Sequence, residues 1–341
     1  MKKINSLPSP IGISREEIMA LLLREEYGVL PASPFSVTAT EVSCDKKFCA
    51  ARAELLTLTL HCKAEFGEFS FPLYYARPTR SGSPVPCFIH INFRDLIPDR
   101  YQPTEEIIDK GYATLTFCYK DVSSDDGDFS NGLAGVVYPD GKQTSDGCGK
   151  IGLWAWAACA VLEYALTLPE LDHSKISVVG HSRLGKTALL AGALDSRFFC
   201  AFSNNSGCGG AALSRSNTGE TVRKITDRFP YWFCKSFKQY ADNEEALTFD
   251  QHFLLAANAP HKVYVASAEE DLWACPDNEY LSCVEASAYY EALGISGFEH
   301  PDRMPKVGES FHGGNIGYHI RSGCHYLSRE DWNRYIEFLS K

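Results

Sequence analysis

The chain has 341 residues, 45% of them hydrophobic and 22% charged, with 26 glycines and 17 prolines; this composition fits an ordinary globular protein and excludes disordered, collagen-like and coiled-coil chains. Its 43 acidic and 33 basic residues leave a net charge of −10, which repels polyphosphate and argues against a nucleic-acid or anionic-membrane partner. No apolar run reaches the roughly 20 residues of a membrane helix, and Met1 to Gly12 lacks the apolar stretch of a signal peptide, so a cytoplasmic chain is expected.

In chain order, Ser14 to Tyr27 reads as a helix, with Ser14 as N-cap, Glu17 three residues on, and Pro31 to Pro34 as its breaker. It is taken as part of an N-terminal helical appendage over residues 1–50. Glu54 to His61 and Glu68 to Tyr75 are β-rich runs around Gly67 and predict an antiparallel hairpin. Nearly all-apolar runs follow: Pro86 to Phe93, Ala113 to Tyr119, Ile176 to Val179, Phe198 to Phe202 and Val263 to Ala268. These have the character of strands buried on both faces. Helical patterns lie between most of them, at Ile151 to Leu166, Leu184 to Ala193 and Cys283 to Leu293. A last short strand near Gly317 and a helix from Ser328 to Leu339 close the chain. Strands alternating with helices imply a mostly parallel sheet with helices on both faces. Nothing divides the chain, so a single domain over residues 1–341 is expected.

The 13 cysteines are odd in number and spread from Cys44 to Cys324 without a Cys-x-x-Cys pair. Free, mostly buried thiols are therefore expected rather than a disulfide framework. Cys44 with Cys49, or His319 with His325, lack the second ligand pair of a structural zinc site, and no metal is expected.

In such a sheet, ligands bind beyond the carboxyl ends of the strands. The run Ile176-Ser177-Val178-Val179-Gly180-His181-Ser182-Arg183-Leu184-Gly185 has the form of a strand, a tight turn and a helix start. It matches the nucleophile elbow of an α/β-hydrolase, except that Leu184 holds the second glycine position and Gly185 comes one later. Ser182 on that turn sits at a helix N-terminus, where backbone N–H groups favour developing negative charge. A serine hydroxyl needs a base, and in this fold the acid and then the histidine follow. Asp271, after the Val263 to Ala268 strand, is the expected acid, with Glu269 and Glu270 as alternatives. His325, on the loop after the last strand, is the expected general base. His319 is expected inside that strand as a structural histidine, and His312, in a glycine-rich loop, ranks third.

These residues carry a resemblance. Gly180-His181-Ser182-Arg183-Leu184-Gly185-Lys186 and Ser206-Gly207-Cys208-Gly209-Gly210-Ala211-Ala212 resemble carbohydrate esterase family fifteen, the glucuronoyl esterases and their bacterial relatives labelled acetyl-xylan-esterase-like. The likeness extends through Trp232-Phe233-Cys234, Phe249-Asp250-Gln251-His252, Asp271-Leu272-Trp273 and Arg321-Ser322-Gly323-Cys324-His325, over most of residues 85–340. It implies a serine α/β-hydrolase. Arg183 would then serve the oxyanion through its side chain, Lys186 would reach the hydroxyls of a uronate sugar, and Trp273 would offer an aromatic face for stacking. A backbone donor is expected from the loop after the Pro86 to Phe93 strand, at Phe93 or Arg94. Arg183, Lys186, Arg215 and Arg223 could together form a positive patch for a carboxylate-bearing substrate. Two departures stand out. Many family members place the triad acid as a glutamate just before Ser-Gly-x-Gly-Gly, where this chain has Asn205; in other members the acid follows the later strand, as Asp271 does. The sugar-contacting glutamine and glutamate of the fungal enzymes find no clear match between Asn217 and Trp232.

The expectation is thus an α/β-hydrolase fold with an N-terminal antiparallel hairpin and an insertion over the active site at residues 207–250. The expected reaction is hydrolysis of a small-molecule or oligosaccharide carboxylic ester through an acyl-enzyme, without a cofactor. An acetyl (xylan) esterase or other deacetylase and a peptidase are alternatives within the enzyme class. A catalytically inert hydrolase-fold binding protein is the alternative of another class. The sequence carries no signal for an oligomeric state.

Overall fold

The computed structural model describes residues 7–79 and 82–341; residues 1–6, at the start of the segment inspected for a signal peptide and of the appendage at 1–50, lie outside the described residues. Among the described residues ten strands form one sheet: β1 (Ser36–Asp45), β2 (Ala53–Ala64), β3 (Gly67–Pro78), β4 (Val85–Asn92), β5 (Ala113–Cys118), β6 (Leu171–His181), β7 (Cys200–Asn204), β8 (Lys262–Ala268), β9 (Ser310–Phe311) and β10 (Ile316–Arg321). Their order is β1-β2-β3-β5-β4-β6-β7-β8-β10-β9. The six from β5 to β10 at the centre run parallel, and β1, β2, β3 and β9 are antiparallel to their neighbours. The expected hairpin is β2–β3, turning at Gly67 with φ +140°. This is backbone space that favours glycine.

The near-continuous apolar character of the central strands has its cause in the two covered faces. Neighbouring residues point to opposite sides, so Ile89 and Val178 join one core with Trp154 and Leu189. Phe88 and Val179 join the other, with Phe202, Tyr264, Trp332, Tyr335 and Phe338. The first core is covered by the helices Lys150–Ala165 and Arg183–Leu194, and the second by the C-terminal helix Arg329–Leu339. Trp332 meets Phe88 edge-on at 5.2 Å between ring centres and donates its indole N–H to Tyr101 O at 2.8 Å. Truncating it to alanine should destabilise the fold by about 3–5 kcal/mol.

At the N-terminus, Ser14 and Glu17 form a reciprocal capping box on the helix Arg15–Leu22, which continues as a π-helical turn over Leu23–Tyr27. The segment 1–50 is not helical throughout, however. Ser36–Asp45 is a strand paired with β2 along the sheet edge. Its mix of threonine, serine and glutamate on a largely exposed edge hides the alternation by which a strand is recognised. All 13 cysteines are free thiols, nine of them buried.

Strand order turns at β4: the chain passes from β4 to β5 on one side, then to β6 on the other. The crevice beyond the carboxyl ends at such a turning point is where ligands bind in open α/β sheets. The loop after β4 and the turn after β6 both open there.

Candidate active site

Ser182 stands between β6 and the helix Arg183–Leu194 with φ 59° and ψ −127°. A non-glycine residue in this region costs of order 1–3 kcal/mol and persists only where the surroundings impose it. Here they do so by close approach. A Cβ at Gly180 would lie 2.0 Å from Leu184 O, and one at Gly185 would lie 3.1 Å from both Ser203 Oγ and Ser206 Cβ. The elbow therefore needs Gly180 to pass Leu184 and Gly185 to pass β7, which accounts for the glycine coming one position late. The Ser182 amide donates to Asn204 O at 2.8 Å.

Ser182 lines a cavity of about 330 Å³ together with Arg183, Asp271 and His325. His325 Nδ1 donates to Asp271 Oδ2 at 2.5 Å. Asp271 is buried, and burial alone would raise its pKa, but the bonds from His325 and Asn205 outweigh this and hold it below the usual carboxylate range. Glu269 and Glu270 face solvent. Of the three consecutive carboxylates, Asp271 alone meets the histidine.

Asn205, at the position where many family members carry a glutamate, donates its Nδ2 to Asp271 Oδ2 at 2.9 Å. Beneath both loops lies Glu279, fully buried on the helix Pro276–Ala292. Its Oε1 accepts from the amides of Ser206 (2.8 Å) and Gly207 (3.0 Å), and its Oε2 from Ser267 Oγ (2.6 Å). Burial pushes its carboxyl up to about 7.

The His325 loop is clamped from below. Arg321 donates to the carbonyls of Ser322 (2.9 Å), Cys324 (3.2 Å) and Tyr326, and its Nε is fixed on Asp331 at 3.0 Å. His319 Nε2 donates to the same carboxylate at 2.9 Å, and its Nδ1 meets Tyr264 Oη, which also meets His312. His319 and His312 are thus buried in a structural network. His181 packs on His325 with 4.4 Å between ring centres and bonds Asn204 through Nδ1 at 2.6 Å. Burial, with the neighbouring His325, drives its pKa down to about 3, so it stays neutral beside the His325 imidazole.

Arg183 bonds Asp125, and its guanidinium carbon stands 4.7 Å from the Trp232 ring, 5.5 Å from Phe229 and 5.6 Å from Phe93. Its Nε–H is buried and has no hydrogen-bond partner among the described residues. Its backbone N–H belongs to the first helical turn, which has no intrahelical acceptor. Both donors suit an oxyanion.

Two expected roles are changed by the structure. The Phe93 amide donates to Asn92 Oδ1 at 2.8 Å, so it is already engaged and the residue contributes its ring instead. The side chain of Arg94 pairs with Asp99 at 3.6 Å, which leaves its backbone N–H, the other donor expected from this loop, untouched. Lys186 is buried and spends its three donors on Ser206 O, Cys208 O and Glu220 Oε2, the last at 3.0 Å, leaving none for a sugar hydroxyl. The expected positive patch is neutralised too: Arg183 meets Asp125, Lys186 Glu220, Arg215 Asp250 and Arg223 Asp242. Trp273 does line the cavity, with 42% of its surface exposed, and its indole N–H is held by Glu220 Oε1 at 3.1 Å. Glu220, missed in the sequence, is the carboxylate that joins Lys186 to Trp273. Glu220, Arg228, Phe229 and Trp232, all from residues 207–250, line the cavity. Among the described residues no three His, Cys, Asp or Glu side chains gather as a metal site.

The profile of the family described as glucuronyl esterase, fungi, matches residues 61–294. A carbohydrate esterase of an unknown prokaryotic organism is 42% identical over 252 residues, 72% of this chain and 56% of that protein. The 4-O-methyl-glucuronoyl methylesterase of Podospora anserina is 28% identical over 339 residues, 96% of this chain and 63% of its own. The chain thus spans about three-fifths of the length of these curated relatives. The solved glucuronoyl esterase from Solibacter usitatus superposes with a TM-score of 0.89 at 28% identity, covering 99% of this chain and 98% of that one. A promiscuous family-15 esterase from a marine bacterial metagenome gives 0.87 at 31%, covering 99% and 97%. With this match spanning most of the chain and an α/β-hydrolase sheet carrying the elbow, the chain belongs to the glucuronoyl esterases, carbohydrate esterase family 15.

Proposed function

We propose that the chain hydrolyses carboxylic esters of carbohydrates through an acyl-enzyme on Ser182, with glucuronate esters as the preferred class. The observation that carries this reading is the convergence of a strained Ser182, the His325–Asp271 pair at 2.5 Å and an arginine with an unpartnered Nε–H in one cavity. His325 Nε2 takes the Ser182 proton as Oγ attacks the ester carbon, and Asp271 holds the ring and stabilises the imidazolium. The carbonyl electrons move onto oxygen, where Arg183 stabilises them. As the tetrahedral intermediate collapses, the bond to the alcohol oxygen breaks and His325 returns the proton to it. Water, deprotonated by His325, then releases the acid by the same path. The indole of Trp273, held by Glu220, offers the apolar face a sugar ring stacks on. The curated relatives support the glucuronate side, several being 4-O-methyl-glucuronoyl methylesterases.

The test is steady-state hydrolysis of a methyl or benzyl glucuronate ester against an acetylated xylo-oligosaccharide, for the wild type and Ser182→Ala. Cleavage of the glucuronate ester, lost in the variant, is expected. Cleavage of the acetyl ester alone would move the reading to a deacetylase, and turnover unaffected by Ser182→Ala would remove the mechanism.

A further inference from the structure

Asp125 belongs to none of the motifs that point to the site. It lies on the loop that follows β5 and the short helix Tyr119–Val122, and its side chain is 9% exposed. Its Oδ1 accepts the Trp232 indole N–H at 2.8 Å; its Oδ2 accepts Tyr119 O–H at 2.9 Å and Arg183 Nη1. Its backbone carbonyl accepts Tyr231 O–H at 3.0 Å. The loop is pinned from inside by Lys150, whose Nζ donates to Ser123 Oγ at 2.9 Å and Asp128 O at 2.6 Å. The carboxylate is thus fixed independently of the arginine, and the arginine must conform to it.

A guanidinium is a rigid planar fork. Here the Trp232, Phe229 and Phe93 rings crowd around it, and the bond to Asp125 fixes its rotation at Nη1. Of the donors this bond leaves free, Nε–H is buried without a partner among the described residues, on a side chain that lines the cavity together with Ser182. We propose that Asp125 is the positioning residue of the oxyanion arginine, holding the Arg183 guanidinium so that Nε–H stays available to the developing oxyanion. This rests on the ester-hydrolase reading. The carboxylate has a counter-effect, because its charge offsets part of the arginine's field at the oxyanion. If that effect dominated, neutralising Asp125 would speed the reaction; if positioning dominates, it slows it. Preorganised donors work by being aimed before charge develops, so positioning prevails.

The test is a double-mutant cycle on the ester the wild type cleaves, with Asp125→Asn, Arg183→Gln and the double variant, each checked by thermal denaturation. Arg183→Gln should lose on the order of 10²–10³ in kcat, as loss of an oxyanion donor does, and Asp125→Asn about tenfold or more, with KM changed less than about threefold. The double variant should lose no more than Arg183→Gln alone, an outcome that a merely structural role would not give. Where Asp125→Asn does not fold, Tyr119→Phe takes its place, removing one donor from the carboxylate while keeping the ring; a severalfold loss, absorbed in the same way by Arg183→Gln, is expected. A kcat unchanged or raised in Asp125→Asn, or losses that multiply in the double variant, would overturn the proposal and leave the hydrolase reading standing. A wild type that cleaves no ester, or one matched by Ser182→Ala, would remove the reading itself and the proposal with it.

Discussion

The loops leaving β7 and β8 run side by side, and each brings one side chain to the same carboxylate–imidazole pair: Asn205 from the first, Asp271 from the second. The first is the position of the glutamate in many family members, yet here it donates a hydrogen bond, and the carboxylate that meets the histidine comes from its neighbour. A triad is therefore defined by where a carboxylate meets the histidine, not by which strand supplies it. The two loops also share a support, since Glu279 ties the amides of Ser206 and Gly207 on one to Ser267 at the end of β8. Glu279 thus adds to the direct bond between Asn205 and Asp271 in setting the two loops relative to one another.

Exchanging the two roles breaks the comparison most severely. Asp271→Asn should cost roughly 10⁴-fold in kcat, as in the serine-histidine-aspartate template, and Asn205→Glu in that background should recover a measurable part by returning the acid to the first loop. Asn205→Ala removes a hydrogen bond to a charged group, worth about 1.5–3 kcal/mol, so kcat/KM should fall roughly 10- to 100-fold. Steady-state kinetics decide both.

On the sugar side, Trp273→Ala should raise KM about two- to tenfold with little change in kcat, the scale of a lost aromatic contact. Glu269→Gln and Glu270→Gln should leave kcat/KM within about twofold, because both are solvated. A large loss in either would show that the acid had been assigned to the wrong carboxylate.

Stability should follow pH through buried titratable groups. Burial first of all lowers His90, His252 and His312 to about 4 and His181 to about 3. Their folded pKa values lie below the usual 6.5, so the unfolded chain binds these protons first. The four should therefore make the protein lose stability as pH falls from about 6.5 toward 4. Buried Glu26 and Glu279, raised to about 8 and 7, act oppositely: the stability they contribute at low pH is lost as pH rises from 4.5 through those values. Denaturant unfolding of Glu279→Gln should show that decline reduced. An unchanged slope would mean that Glu279 does not titrate where its burial places it.

Much of this was legible from local pattern. Gly180 and Gly185 around Ser182 mark an elbow because only glycine permits the approach of strand and helix, and Asp271 and His325 each follow an apolar run that could only be a strand end. The structural reading of His319 followed from its place inside such a run. What escaped depended on partners distant in sequence. Lys186 stands one turn after Ser182, but its donors are taken by Ser206, Cys208 and Glu220, which only the folded chain brings near it. Glu220 has no local signal, and Asp125 acquires its role from an arginine 58 positions away. The edge strand β1 carries no such signal, because its outward residues leave no apolar alternation.

In the proposed reaction Ser182 is a nucleophile activated by His325. An aryl phosphonate fluoride reacts much faster with such a serine than with an ordinary hydroxyl, so intact-mass spectrometry after brief exposure tests this most directly. A single adduct mapping to Ser182, absent in Ser182→Ala and formed far more slowly in His325→Ala, is predicted; labelling at another residue, or at the same rate without His325, would contradict it.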